Sequence, residues 1–258
     1  MGAKQTICGL TFGVGMPKIC VPLMGKTVQE IREAAKLLDG VDAELVEWRA
    51  DHFLAGADPK AVLDVLAWLR PLLLPKRLLF TFRTAAEGGE QAIEGENYES
   101  LLCAIASSKQ VDLIDVEGFA KGVRVKELCR RLRELGVFVI VSNHNFQYTA
   151  SQPELVHILC ALEALDGDFV KLAVMPQNPS DVKALLAATR EYTNRPQAKL
   201  AITMSMGALG VRSRVEGERT GSVLTFGAVG KVSAPGQLEV SELRRQLKAL
   251  HDGMVQEA

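Results

Sequence analysis

The stretch that decides the fold spans residues 169–205 and reads FVKLAVMPQNPSDVKALLAATREYTNRPQAKLAITMS. Its two ends, Phe169–Val174 and Leu200–Ser205, are short and largely apolar, as expected of strands that are buried on both faces. Between them, Asn178 and Pro179 place a capping residue before a proline at the first helical position. The stretch therefore predicts one β-α-β unit, the building block of a parallel sheet.

The same alternation of strand and helix extends outward from this unit, for eight repeats in all. The other predicted strands are Ile19–Met24, Ala43–Arg49, Leu78–Arg83, Val111–Val116, Val137–Asn143 and Val223–Phe226. Eight repeats in 258 residues favour one closed (β/α)8 TIM barrel over a doubly wound sheet, because such a barrel typically takes about 250 residues. We therefore expect a single domain over residues 1–258.

Two glycine-rich segments flank the predicted barrel. Residues 1–17 contain short apolar stretches separated by glycines, which predicts an N-terminal β-hairpin that closes the bottom of the barrel. Residues 227–237 follow the last strand and combine glycine, proline and small residues. That composition is typical of a loop that moves between two ordered positions, so we expect a lid over the opposite end.

Composition and spacing exclude several kinds of partner. Thirty basic and 31 acidic side chains give a net charge of −1, which argues against nucleic acid and membrane surfaces and leaves a small molecule as the expected partner. The five cysteines are widely and irregularly spaced, which predicts neither disulfides nor a zinc site and favours a reducing cytoplasm. No complete phosphate or dinucleotide motif is present, so we expect no such cofactor.

Charged residues cluster where the predicted strands end. In a barrel of this kind the chemistry lies at the C-terminal ends of the strands, so these residues should form a ring around one mouth. In chain order they are Glu47, Arg49, Arg83, Glu87, Asp115, Glu117, His144 and Lys171.

Lys171 is the most informative member of this ring. An ammonium group inside a buried apolar strand is costly unless it is paired or loses its proton. Lys171 is therefore either a structural ion-pair partner of Glu47, Asp115 or Glu117, or an amine nucleophile for a carbonyl group, which we favour. His144 follows the neighbouring strand and is the natural general acid-base, with a hydrogen-bonded core histidine as the alternative.

With these residues in place, the sequence resembles the type I 3-dehydroquinate dehydratase family along nearly its whole length. Together the matching blocks are highly specific, although any one of them alone would be weak. They are EWRADHF at 47–53, TFR at 81–83, SNH at 142–144, KLAVMP at 171–176, MSMG at 204–207, SR at 213–214, TFGA at 225–228 and SAPGQ at 233–237.

The resemblance implies dehydration of 3-dehydroquinate to 3-dehydroshikimate in the shikimate pathway of aromatic amino-acid biosynthesis, with no metal and no cofactor. It also implies a cytoplasmic homodimer. Lys171 would form a Schiff base with the C3 ketone, and His144 would move the proton from C2 to the departing C1 hydroxyl in a syn elimination. Glu87 would orient the His144 imidazole.

The resemblance further implies a set of substrate contacts. Arg214 would clamp the carboxylate with its bidentate guanidinium group. Met204 and Phe226 would supply apolar wall, with ordinary core positions as the alternative. The remaining implied binding residues are Glu47, Trp48, Arg49, Arg83, Ser233 and Gln237, the last two in the expected lid.

Three positions depart from the commonest family pattern. Pro22 stands where many members have serine, Asn145 stands where aspartate is frequent, and Ala208 begins a pair that is usually charged. None of the three removes a named catalytic group. Two other functions stay open at this point. One is a class I Schiff-base aldolase, which would normally bind a phosphorylated substrate near the last two strands, and the other is an inactive barrel kept as a binding protein.

Overall fold

The structure, a computed structural model, describes residues 4–230 and 236–256. In chain order the strands are β1 (Gln5–Ile7), β2 (Leu10–Phe12), β3 (Lys18–Leu23), β4 (Leu45–Arg49), β5 (Arg77–Thr81), β6 (Leu113–Glu117), β7 (Phe138–Asn145), β8 (Phe169–Val174), β9 (Leu200–Ser205), β10 (Leu224–Ala228) and β11 (Leu238–Glu239). The helices are α1 (Val28–Lys36), α2 (Pro59–Leu72), α3 (Gly95–Ser107), α4 (Val125–Glu134), α5 (Gln152–Glu163), α6 (Pro179–Thr193), α7 (Val211–Val215), α8 (Gly217–Thr220) and α9 (Val240–Gln256).

Strands β3 to β10 form the predicted barrel. Each pairs in parallel with the next from β3 to β9, and β10 pairs in parallel with β3. Between β9 and β10 the backbone N–H of Val223 donates to the carbonyl oxygen of Ala201 at 2.9 Å, which closes the sheet. The α/β barrel expected from the sequence is therefore confirmed.

The predicted strand positions agree with the observed ones to within two residues. Phe169–Val174 and Leu200–Ser205 agree at both ends, and Asn178 caps α6 by accepting from the N–H groups of Ser180 and Asp181. Two differences matter for the site. Strand β7 runs on to Asn145 and so includes His144, and β10 runs on to Ala228, so the segment predicted as a lid begins two residues later than expected.

The alternation of side chains along each strand divides the core into two layers. Between the sheet and the helices lies an outer layer that contains Trp48 and Phe80. Inside the barrel lies a second layer, to which the early residues of several strands contribute, among them Leu45, Phe169 and Leu200. This inner layer fills one end of the barrel and leaves the other end for polar side chains.

The N-terminal hairpin closes the filled end, as predicted. Strands β1 and β2 pair antiparallel, and their side chains Ile7 and Phe12 are buried in the inner layer. The Phe12 ring meets the Phe169 ring edge to face, with centroids 5.1 Å apart. Because Phe169 begins β8, the contact lies at the N-terminal end of the barrel.

Replacing Phe12 by alanine is expected to lower the free energy of unfolding by about 3–5 kcal/mol, because it leaves a cavity in the barrel floor. Val14→Ala, at an exposed position just after the hairpin, should change it by less than about 0.5 kcal/mol. Urea unfolding followed by circular dichroism measures both. Equal midpoints for the two variants would show that the hairpin does not support the barrel.

Two further features concern the chain as a whole. Over residues 4–230 and 236–256, no helix is both long and apolar enough to span a bilayer. The five cysteines all lie within those ranges and are free thiols.

Candidate functional site

A cavity opens at the C-terminal ends of the barrel strands. Ten of the residues that the sequence indicated lie in its wall: Glu47, Arg49, Arg83, Glu87, His144, Lys171, Met204, Arg214, Phe226 and Gln237. They come from different strands and loops, and barrel closure brings them together. Met204 and Phe226, for which apolar wall and core were the alternatives, do both: they line the cavity and belong to the inner core layer.

Two predicted binding residues are not placed in this wall. Trp48 is fully buried in the outer core layer, where its ring packs against Phe80 at a centroid distance of 5.7 Å. Its prediction as a substrate contact is corrected, because the two-residue period of β4 turns Trp48 away from the face that carries Glu47 and Arg49. Ser233 lies outside the described residues.

Lys171 lies at the centre of the barrel on β8, and its side chain is almost fully buried. Its Nζ lies 3.0 Å from Asp115 Oδ2 and 3.5 Å from Glu47 Oε1. The ring of Phe226 lies beneath the same nitrogen, with its centroid 4.8 Å away. Of the three ion-pair partners considered from the sequence, Asp115 and Glu47 contact Lys171, whereas Glu117 pairs with Arg83. The two ion pairs hold the Lys171 nitrogen at the cavity wall.

Arg83 organises the carboxylates next to Lys171. Its guanidinium lies 2.7 Å from Asp115 Oδ1, 3.1 Å from Glu117 Oε1 and 3.5 Å from Glu87 Oε2. Burial opposes the charge of Arg83, but these carboxylates raise its pKa. Burial likewise opposes the charge of Asp115, but Arg83 and Lys171 lower its pKa well below the usual range. Both groups are therefore charged at neutral pH.

His144 and Glu87 form a hydrogen-bonded pair beside this cluster. Nδ1 of His144 lies 2.9 Å from Glu87 Oε2, which also accepts from the His144 backbone N–H at 3.0 Å. The amide of Asn143 donates to Glu87 Oε1 at 3.0 Å. With Nδ1–H donating to the carboxylate, Nε2 is left to accept a proton.

Burial shifts both members of this pair toward their neutral forms. It raises the pKa of Glu87 to about 7, against the opposing charge of Arg83. Burial, followed by the charges of Arg83 and Lys171, lowers the pKa of His144 well below its ordinary value. The imidazole is therefore neutral at physiological pH, which is the form that a general base needs.

Arg214 reaches the cavity from α7, which a tight turn holds against β9. A side chain at Gly210 would put its Cβ 2.1 Å from the carbonyl oxygen of Ser205, so only glycine fits there. Ser213 Oγ accepts from the Ser205 backbone N–H at 2.8 Å and fixes the helix. Burial lowers the pKa of Arg214 to about 10, which still leaves a cation in the wall.

Arg49 lines the cavity with its guanidinium already engaged. Its Nε and Nη2 donate to the two carboxylate oxygens of Asp51 at 2.8 and 2.7 Å. Asp51 is fully buried behind the wall and holds the Arg49 guanidinium in one orientation. Any substrate contact by Arg49 would come from a side chain that is already oriented.

The sequence interpretation missed several members of the site. Asp115 belongs to the predicted charged ring but has no predicted role beyond an ion pair with Lys171, and Ser142 and Thr81 are not predicted as site residues. Ser142 Oγ donates to Asp115 at 2.6 Å, and Thr81 Oγ1 donates to Glu47 at 2.9 Å. The period of two along β6 puts Asp115 on the same face as Glu117, and that signal was available. The cavity wall also includes Gly88, Phe146, Ala173 and Met206.

One of the departures from the family pattern has a simple local explanation. Asn145 Oδ1 accepts from the backbone N–H groups of Gln147 and Tyr148 at 2.9 and 3.0 Å, so it shapes the turn after β7. Ala208 begins a short 3-10 turn before α7. Pro22 is buried within β3, beside Glu47 in the register with β4.

Metal ligation has no support in the side chains. Among the residues that the structure describes, no three histidine, cysteine, aspartate or glutamate side chains are arranged to hold a metal ion. The charged groups of the cavity instead pair with one another.

Comparison with known proteins gives one answer. The sequence model of the family described as Type I 3-dehydroquinase matches residues 19–254. The chain is 44% identical to the 3-dehydroquinate dehydratase of Listeria monocytogenes serotype 4b (strain F2365), over 96% of this chain and 98% of that protein. It is 44% identical to that of Salmonella agona (strain SL483), over 95% and 98%.

Solved structures agree with the sequence comparisons. The type I 3-dehydroquinate dehydratase of Clostridium difficile, determined with covalently modified comenic acid, matches with a TM-score of 0.92 at 42% identity, over 98% of this chain and 99% of that one. The 3-dehydroquinate dehydratase of Geobacillus kaustophilus HTA426 matches with a TM-score of 0.91 at 34% identity, over 97% and 98%.

Proposed function

The chain belongs to the type I 3-dehydroquinase family and dehydrates 3-dehydroquinate in the shikimate pathway, and we propose that it does so through a covalent imine at Lys171. The observation that carries the proposal is the position of the Lys171 nitrogen, buried among carboxylates in the wall that also holds the Glu87–His144 pair. We reject the aldolase and inactive-barrel alternatives, because the family and its high-coverage relatives are dehydratases.

The first steps form the covalent intermediate. Lys171 loses one proton and its amine attacks the C3 ketone. That proton returns to the oxygen of the adduct, which leaves as water and gives a protonated imine. The imine withdraws electrons from the C2–H bond, so His144 Nε2 removes that proton and leaves an enamine. The hydrogen bond from His144 Nδ1–H to Glu87 holds the ring in the tautomer that this step needs.

The last steps expel water and release the product. The enamine pushes out the C1 hydroxyl, and the imidazolium of His144 returns its proton to that leaving group. Water then hydrolyses the conjugated imine to 3-dehydroshikimate and free Lys171. His144 therefore ends neutral, and the sum is loss of one water molecule from the substrate.

Substrate positioning follows from the charges of the wall. Arg214 clamps the carboxylate, because its cation is buried and carries the planar fork that matches a carboxylate. Met204 and Phe226 supply apolar surface to the ring. Glu47, Arg83 and Gln237 hold ring hydroxyls, and Arg49 completes the polar side of the cavity.

Reductive trapping tests the covalent step. Borohydride added with 3-dehydroquinate should attach a reduced ligand to Lys171, and peptide mass mapping locates it. Lys199 serves as an internal control, because it directly precedes β9 at the opposite end of the barrel. An adduct on Lys199 or Lys231, or no adduct at all, would exclude Lys171 as the nucleophile.

We also propose that the segment after β10, up to Gln237, closes over the bound substrate. Residues 231–235, with Ser233 and Pro235, lie outside the described residues, so support comes from the two ends. Strand β11 pairs with β10, and a side chain at Gly236 would meet the Gly207 carbonyl oxygen at 2.1 Å. These contacts hold Gln237 in the cavity wall, and Ser233 is proposed to contact the substrate from the closed segment.

Gln237→Ala is expected to raise KM roughly 3- to 10-fold, the effect of losing one hydrogen bond, and to leave trapping at Lys171 intact. Gln246→Ala is the matched control, because that amide bonds only to Glu242 among the described contacts and lies on α9. Saturating substrate should also protect the segment from proteolysis. Cleavage at the same rate with and without substrate would rule out closure.

Three coarser features complete the proposal. The whole chain, residues 1–258, acts as a single catalytic domain, because hairpin, barrel and cavity share one continuous inner core layer. Five free cysteines fit a reducing, cytoplasmic setting. The family resemblance favours a homodimer, which light scattering coupled to size-exclusion chromatography would distinguish from a monomer.

A further inference from the structure

Asp115 connects Lys171 to the rest of the charged cluster. Its Oδ2 lies 3.0 Å from Lys171 Nζ, while its Oδ1 accepts from Arg83 Nη2 at 2.7 Å and from Ser142 Oγ at 2.6 Å. Glu47, the other carboxylate near Nζ, is farther away at 3.5 Å. Two donors therefore fix Asp115 on one side and leave its other oxygen for Lys171.

This arrangement fits a nitrogen that changes its bonding during the reaction. As an ammonium, Nζ has three N–H bonds, but as a protonated imine it has only one. Asp115 is 1% exposed and lies on β6, whereas Lys171 lies on β8. Its oxygen therefore stays in place whichever group Nζ carries. An anion at this distance favours any protonated form of the nitrogen.

We propose that Asp115 is the counterion of the Lys171 nitrogen in the covalent intermediate, where its Oδ2 accepts the single N–H of the iminium group. This inference rests on the proposed imine at Lys171. Asp115 does not exchange a proton in the step. It keeps the imine protonated, and only the protonated imine withdraws enough electron density to release the C2 proton to His144.

Several other charged groups face this nitrogen or its partners and must be counted. They are Glu47 and Arg49 on β4, Arg83 and Glu87 after β5, Glu117 on β6 and His144 on β7. Arg83 forms ion pairs with Asp115, Glu117 and Glu87, so removing any of these carboxylates changes the charge around Arg83.

Glu117→Gln provides the matched control for Asp115→Asn. Glu117 is similarly buried, lies on the same strand and face, and binds the same arginine at 3.1 Å. The other described partners of its carboxylate are the N–H and Oγ1 of Thr84. Both variants remove one buried negative charge beside Arg83. Only Asp115→Asn removes the negative charge that contacts Lys171 Nζ.

The test is the pH dependence of trapping by cyanoborohydride in the presence of 3-dehydroquinate, since this reagent reduces the protonated imine. In Asp115→Asn we expect the trapping profile to move to lower pH by about 1 unit or more, because the anion that favours protonation is gone. We expect kcat to fall on the order of 10²-fold. Ser142→Ala, which leaves the carboxylate and its charge in place, should not move the profile to lower pH.

The pH midpoint of the trapping profile does not depend on how much of the protein is folded. It therefore separates a counterion role of Asp115 from a purely structural role. A profile in Asp115→Asn that coincides with that of Glu117→Gln would overturn the inference, because net charge alone would then explain both. Failure of the wild-type protein to trap ligand at Lys171 would instead overturn the proposed imine. Wild-type trapping with an unshifted Asp115→Asn profile would refute only the counterion role.

Discussion

Replacing Lys171 by methionine is expected to reduce kcat/KM for 3-dehydroquinate by roughly 10⁵- to 10⁶-fold, as happens when a covalent nucleophile is lost. Methionine keeps much of the length and volume of lysine but cannot form an imine. Without the imine nothing acidifies the C2 hydrogen, so the positioned His144 has no activated bond to act on. The appearance of the conjugated enone in the ultraviolet measures the rate.

The control for this variant is Lys199→Met, which alters a lysine at the other end of the barrel and should retain the wild-type rate. Lys171→Met also removes the cation paired with Glu47 and one of the two cations paired with Asp115, and breaking a buried pair costs about 3–5 kcal/mol of unfolding free energy. Chemical denaturation must therefore establish that the variant is folded under assay conditions. Folded Lys171→Met that turns over within tenfold of the wild type would refute the covalent mechanism.

Replacing His144 by alanine is expected to lower kcat by at least 10² to about 10⁴-fold, the usual contribution of a positioned acid-base. The loss should lie toward the upper end, because the same imidazole serves proton removal and proton return. Lys171 should still form the imine, so borohydride trapping should survive while turnover fails. That combination separates His144→Ala from Lys171→Met, in which both are lost.

His157→Ala is the matched control, because His157 is exposed on α5 and distant from the cavity wall. It should leave kcat and trapping unchanged. Turnover of His144→Ala near the wild-type rate would assign the proton transfers to another group. Glu87 would be the first to examine, since burial raises its pKa to about 7 and its carboxylate contacts the same imidazole.

Local patterns in the sequence were sufficient for the elements and for most of the cavity wall. Apolar runs and helix caps located β8 and β9 at both ends, because both strands are buried on two faces and bounded by clear breaks. The expectation that polar strand ends meet at one mouth located Lys171, His144 and Glu87. That step needed only the direction of parallel strands in a closed barrel.

Other features depended on orientation, which a list of residues does not contain. Trp48 belongs to a block that resembles the family's site, yet it packs in the outer core layer because its neighbours on β4 occupy the inner face. Asn145 departs from the family pattern, yet its amide oxygen accepts two backbone N–H groups, as an aspartate could. The contacts of Trp48 and Asn145 therefore explain their roles, which the residue types alone do not.

The sequence by itself determined the barrel, its hairpin floor and which charged side chains meet at one mouth, because strand periodicity, helix caps and buried charge are local properties. Only the tertiary structure decided how the charges pair. In the folded barrel Lys171 pairs with Asp115 and Glu47, and Glu117 pairs with Arg83. That choice depends on distances of a few ångströms between side chains that are 34 to 124 residues apart in the chain, which only the closure of the barrel sets.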